Sequence, residues 1–342
     1  MEGFGAALSS NFDSSWFVVG APFADEGRGK ISIYHHGLEA GTFEGPADAR
    51  QLGRYVSMLR VGDVVAAGGQ GFVRLYTHTT FGWICSATIK EDADRDFGWE
   101  VALSLDGATL IIGSPRASRK QSCLVCVYKK GVLGSWTQLG PALLGDQPGD
   151  CFGCSVKARF PHNDGEIMAV GACKALNTRG CIRIFQLSYS HSLGVGYFFK
   201  QTPKWMPVGR RLEGLQEGDS FGTSLSLSTD GKKLAVGALQ WTIHAPGYVQ
   251  VYSFENGHWK QDGSILRGTG ARGHFGAAIS LSDNGRWLAV GSCAHCSQGL
   301  MKNGVIKVFK KEKEDEDWSQ HISDITGKNN DKRLSASVAP IR

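Results

Sequence analysis

The chain has 342 residues, of which 42% are apolar and 20% charged; that supports a packed core and excludes wholesale disorder. Glycine reaches 46 residues against 10 prolines with no Gly-X-Y period, so a collagen is excluded and an all-β chain with many tight turns is expected. The formal charge of +5 gathers into no basic stripe, which argues against nucleic acid as a partner.

Six related segments follow one another. The first runs from Phe4-Gly5-Ala6-Ala7-Leu8 to Val18-Val19-Gly20-Ala21-Pro22, then to Gly29-Lys30-Ile31-Ser32-Ile33-Tyr34. The second is worn, with Arg54-Tyr55 leading to Val64-Val65-Ala66-Ala67-Gly68. The third starts at Phe97-Gly98 and reaches Gly113-Ser114-Pro115; the fourth starts at Phe152-Gly153 and reaches Val170-Gly171-Ala172. Between Gln186 and Lys204 the fourth carries an insert that breaks the period and reads as a long hairpin tip. The fifth (Phe221 to Ala238) and sixth (Phe275 to Ser292) superpose without a gap. Residues Lys332 to Val338 resemble the opening strand of a seventh. The mixed-charge run Lys310 to Asp317 reads as a solvated hairpin tip.

Each segment reads as four strands. The Phe-Gly strand alternates apolar and small polar residues, as in Leu225-Ser226-Leu227-Ser228, and period two is the strand signal. Asp106-Gly107, Asp164-Gly165, Asp230-Gly231 and Asn284-Gly285 then mark hairpins. The second strand is an apolar run closed by glycine, a sign of close backbone approach. The third resembles Gly247-Tyr248-Val249-Gln250-Val251-Tyr252. The fourth often starts at a tryptophan (Trp83, Trp136, Trp205, Trp259, Trp318), whose recurrence in register predicts packing of one segment on the next.

A mean period of about 54 residues with four short strands is the pattern of a propeller blade. The predicted fold is therefore an all-β β-propeller of six to seven four-stranded blades. One domain over 1–342 is expected, with repeats at about 4–53, 54–96, 97–151, 152–220, 221–274 and 275–332, and a stub at 333–342. Six blades with imperfect closure are favoured narrowly over a fragment of a seven-bladed ring. The start Met1-Glu2-Gly3-Phe4 has no signal-peptide character, and no stretch suits a membrane helix. This fits either an intracellular protein or a piece of a longer chain.

Phe-Gly, a hairpin and then Gly20-Ala21-Pro22 or Gly113-Ser114-Pro115 resemble the FG-GAP repeats of the integrin α-subunit head, over nearly the whole chain. The resemblance implies a propeller used for recognition, sometimes with calcium in an Asp-rich loop between the first two strands. Calcium takes six to eight oxygens. The corresponding loops here hold only one or two candidates each, Asp230 and Asp283 among them, so plain hairpins and no cofactor are expected.

Nine cysteines include three Cys-x-x-Cys pairs: Cys123/Cys126, Cys151/Cys154 and Cys293/Cys296. Buried small hydrophobes are the leading reading. Cys293-Ala294-His295-Cys296 is the best metal exception, and a disulfide between Cys173 and Cys181 is an alternative. Gly268-Thr269-Gly270-Ala271-Arg272-Gly273 matches a dinucleotide fingerprint but precedes a strand, where the fingerprint needs a helix. No nucleophile-elbow or metalloprotease motif occurs, so no catalytic residue is assigned and an enzyme is not expected.

The resulting expectation is a non-enzymatic scaffold that binds a protein, in adhesion or another protein–protein interaction. The resemblance places recognition on the face formed by the 2–3 and 4–1 loops. Candidate binding residues there are Phe23, Arg28, Arg116, Arg119, Lys174, Arg179, Trp241, His244 and His295, an aromatic, basic and polar mixture suited to an interface. A carbohydrate-binding propeller is the alternative, and a propeller enzyme with a central-channel site is third.

Overall fold

The computed structural model describes residues 3–48, 50–91, 96–115, 123–159, 166–193, 199–240, 245–269, 273–292 and 304–326. They form six four-stranded antiparallel sheets arranged in a ring, with a single short 3-10 turn at Asp25–Gly27. Strand order within each sheet follows the chain, from an inner first strand to an outer fourth. In the last four blades a two-residue strand (Leu143–Leu144, Leu212–Glu213, Leu266–Arg267, Ile325–Thr326) also pairs with the third strand. This is the predicted β-propeller, with six complete blades.

The first hairpin of a blade is built by its own side chains. Ser104, Ser228 and Ser282 each accept a backbone N–H from five residues on and donate to Asp106, Asp230 or Asn284. Those Asp and Asn oxygens also accept the N–H of residues 108, 232 and 286, each at 3.0 Å. The glycine after each takes φ near +68°, where a side chain would be strained.

The glycine closing the second strand sits at the contact between blades. A Cβ on Gly20, Gly68, Gly113, Gly171 or Gly237 would fall inside the van der Waals radius of the carbonyl oxygen of Gly53, Gly98, Gly153, Gly222 or Gly276 in the following blade. The core fills the space between blades: Ile167, Ile182 and Ile184 of the fourth pack on Phe221, Leu225, Val236 and Tyr252 of the fifth. Trp205 donates its indole N–H to Leu139 O (3.3 Å) and Trp318 to Asp262 O (3.1 Å), each on the preceding blade. The recurring tryptophans thus pack blade on blade.

In the worn second copy the motif is carried by Leu52-Gly53, two residues before Arg54-Tyr55. Gly53 has φ +84° and takes the inter-blade contact, while Leu52 is fully buried in the phenylalanine's place. The insert of the fourth blade is the long hairpin expected, with Cys181–Leu193 paired to Phe199–Pro207.

The first blade differs at its leading face. Phe97, Phe152, Phe221 and Phe275 are at most 1% exposed, yet Phe4 is 60% exposed, and a Cβ on Gly5 would meet nothing within 4 Å. At the other end of the array Ile325 is 46% exposed where its counterpart Leu266 is 8% exposed. Blades one to five each pack on the next, but the join of the sixth to the first leaves apolar surface uncovered. The stub at 333–342 lies outside the described residues. No helix of the described residues is long and apolar enough to cross a membrane.

Candidate functional site: the central channel and the two loop faces

The first strands line a central cavity of about 180 Å³. One register position of each faces it: Ser9, Ser57, Ala102, Lys157, Ser226 and Ser280, each the partner of a second-strand residue two before the closing glycine. Three of the serines cross-link neighbouring blades. Ser9 Oγ accepts Met58 N–H (3.0 Å), Ser57 Oγ accepts Leu103 N–H (3.1 Å) and Ser226 Oγ accepts Leu281 N–H (2.9 Å). A small hydroxyl here satisfies a backbone donor that would otherwise be orphaned in the ring.

The fourth blade breaks this pattern with charge. Lys157 Nζ lies 3.1 Å from Glu100 Oε1 of the third blade. Burial pushes the Glu100 carboxyl up from its ordinary range, and Lys157 opposes that shift. At one mouth, Arg60 crosses to Asp283 (3.1 Å) and stacks on Phe12 (4.0 Å to the ring centre), and Thr229 donates to Asp283 (2.7 Å). Arg159 joins them. Its Nη1 donates only to its neighbour's carbonyl, Ala158 O (3.1 Å), and its buried Nε has no partner. Burial pulls its guanidinium down from the usual arginine range, Asp283 counteracts this, and Arg60 adds to it. Arg60 thus pairs with Asp283, and Arg159 lies within electrostatic reach of both without an ion pair of its own.

Antiparallel strands in chain order put the 1–2 and 3–4 turns at one end of each blade and the 2–3 and 4–1 loops at the other. Of the candidates on the second face, Phe23 is exposed. Arg28 pairs with Asp25 (3.0 Å) and Glu44 (3.6 Å), and Arg179 with Glu213 (3.5 Å). Lys174 is exposed beside the fourth blade's first strand. Phe23 and Arg28 thus lie on the first blade, and Lys174 and Arg179 on the fourth. Arg116, Arg119, Trp241, His244 and His295 lie outside the described residues, as do Cys293 and Cys296. Of the weak metal candidates, Asp230 is engaged by its hairpin and Asp283 by Arg60 and Thr229. Among the described residues no three His, Cys, Asp or Glu are arranged to hold a metal ion. Cys173 and Cys181 are free thiols.

Sequence reasoning missed Arg60, Glu100, Lys157 and Arg159. A signal was present, since Lys157 replaces serine or alanine at a fixed register position. The opposite face also went unremarked. There the turns of the first three blades expose Phe12, Leu38, Val61, Phe81, Val132 and Leu133, the last three of them in 3–4 turns and at least 96% exposed.

No protein-family model and no curated protein matches the chain. Solved structures do. A candidate 6-phosphogluconolactonase from Bacteroides fragilis aligns over 94% of this chain and 84% of its own, at 13% identity and a TM-score of 0.58. A candidate 6-phosphogluconolactonase from Bacteroides uniformis aligns over 94% and 85%, at 14% identity and 0.59. Hydrazine synthase of Kuenenia stuttgartiensis aligns over 90% and 83%, at 11% identity and 0.53. At these identities the likeness is one of fold, and the chain is similar to known β-propellers.

Proposed function

We propose that this protein is a recognition scaffold that binds a protein partner through its hairpin-turn face. The observation that carries this reading is the run of exposed apolar turn residues on three consecutive blades, with Phe81, Val132 and Leu133 almost entirely in solvent. A folded surface rarely keeps large apolar tips together in water without a use for them. The sixth blade's 3–4 turn is instead the charged run Lys311 to Asp317, so the face has an apolar side and a charged side. The test is quantitative affinity capture with the wild type, a Phe81→Ser/Val132→Ser/Leu133→Ser variant and Phe23→Ser. The partner is expected to be retained by the wild type and Phe23→Ser and lost by the triple variant, with all three melting alike. Loss confined to Phe23→Ser would return recognition to the 2–3 and 4–1 loop face.

The guanidinium pair favours a second reading, in which the channel takes a small oxyanion. Arg159 has donors without acceptors, and an Arg–oxyanion hydrogen bond is charge-assisted. Binding is favoured over catalysis, because Glu100 is already held by Lys157. Inorganic phosphate is expected to raise the melting temperature saturably in the wild type and not in Arg159→Gln. Equal shifts in both would remove the channel from consideration.

A further inference from the structure

We propose that Cys151 and Cys173 form a redox-modification site: a small disulfide of the glutathione type converts this dithiol of the fourth blade into an intramolecular disulfide. The register argues for it. Phe152 pairs with Ala172, and one step beyond the cysteines Asp150 O accepts the N–H of Lys174 at 3.0 Å. Cys151 and Cys173 therefore stand between these two pairs, just outside the strands, with Cys151 at φ +55° and a bulge following Phe152. Bracketed in this way, they lie near the roughly 4.4–6.8 Å Cα separation that a disulfide spans.

The three thiols are also neighbours: Cys173 interacts electrostatically with Cys151 and Cys154, and Cys154 Sγ lies 3.6 Å from Gly222 O. Cys151 is buried, while Cys154 and Cys173 are half-buried, so an oxidant has access to two of the three. The same positions in the fifth blade are Ser220 and Leu239, so the dithiol is no requirement of the fold. Cys181, the partner expected from the sequence, begins the third strand and faces Glu213 and Ala172 across its ladders.

The chemistry balances as thiol–disulfide exchange. A protein thiolate attacks the small disulfide, forming a mixed disulfide and expelling one thiolate. The second protein thiol, losing its proton to solvent, attacks the bonded protein sulfur and expels the other. Two protein thiols are oxidised and one small disulfide is reduced to two thiols. Cys151 pulls the Cys173 thiol down, but Cys154 and burial together outweigh it and leave the thiol raised, so the exchange should speed up with rising pH. The bond ties the start of the first strand to the 2–3 loop that carries Lys174 and Arg179.

The test treats the full chain with oxidised glutathione, alkylates the remaining thiols, digests without reduction and maps the cross-links by mass spectrometry. A Cys151–Cys173 linkage is expected, reversed by dithiothreitol, retained in Cys154→Ser and lost in Cys173→Ser. The oxidised chain should melt about 5 °C or more above the reduced one, because the unfolded state is constrained. A Cys173–Cys181 or Cys151–Cys154 linkage, a stable glutathione adduct alone, or uniform alkylation overturns the proposal. So does protection of all three thiols by zinc in the reduced chain, which would make the cluster a metal site.

Discussion

Phe221→Ala is expected to destabilise the protein by about 3–5 kcal/mol, while Phe4→Ala, at the same motif position, should cost under about 1 kcal/mol. Phe221 is fully buried between the fourth and fifth blades, against Tyr248 and Tyr252. Its removal leaves a cavity whose walls belong to two sheets and cannot collapse. Phe4 is 60% exposed on the uncovered face of the first blade. Urea denaturation of the two variants beside the wild type measures the difference. Equal losses would mean that another part of the chain covers the first blade in solution as fully as its neighbours are covered.

The second large effect is expected at Gly237, where alanine should cost about 3 kcal/mol. The backbone there is ordinary strand, so the cost comes from space alone. A Cβ would collide with Gly276 O and with Ser224 Oγ, which itself donates to Gly276 O at 2.6 Å. The fifth and sixth blades would have to separate. Gly257 is the control. It has φ +81° at a hairpin tip with nothing within 4 Å, so alanine there should cost only about 1 kcal/mol, from conformation. Calorimetry on both variants separates the two causes. If Gly257→Ala proved the more damaging, the close approach between blades would not be what holds the ring.

Much of the fold was legible because propeller blades are local. Each hairpin is specified by residues within about ten positions of one another, such as Ser228, Asp230 and Gly231. The second copy was misplaced by two residues because leucine there fills the phenylalanine's pocket. Leu52 has the needed volume but no sequence signature, and only the positive φ of Gly53 and its contact with Gly20 identify the motif. Asp230 and Asp283 look alike in the sequence. In the structure one serves its own hairpin, and the other reaches Arg60 of the second blade.

The amino-acid sequence by itself determined the all-β class, the repeat, the strand order within each blade and the packing role of the tryptophans. Those properties follow from periodicity and turn chemistry over short distances. Only the tertiary structure decided what meets across blades. It set Lys157 against Glu100 from 57 positions away, brought Arg60 to Asp283, and left Phe4 uncovered while burying its four counterparts. It also placed Cys173 beside Cys151 instead of Cys181. The physical reason is that a blade's geometry is set by its own backbone, whereas the chemistry of channel and faces depends on curvature and register summed over the whole ring.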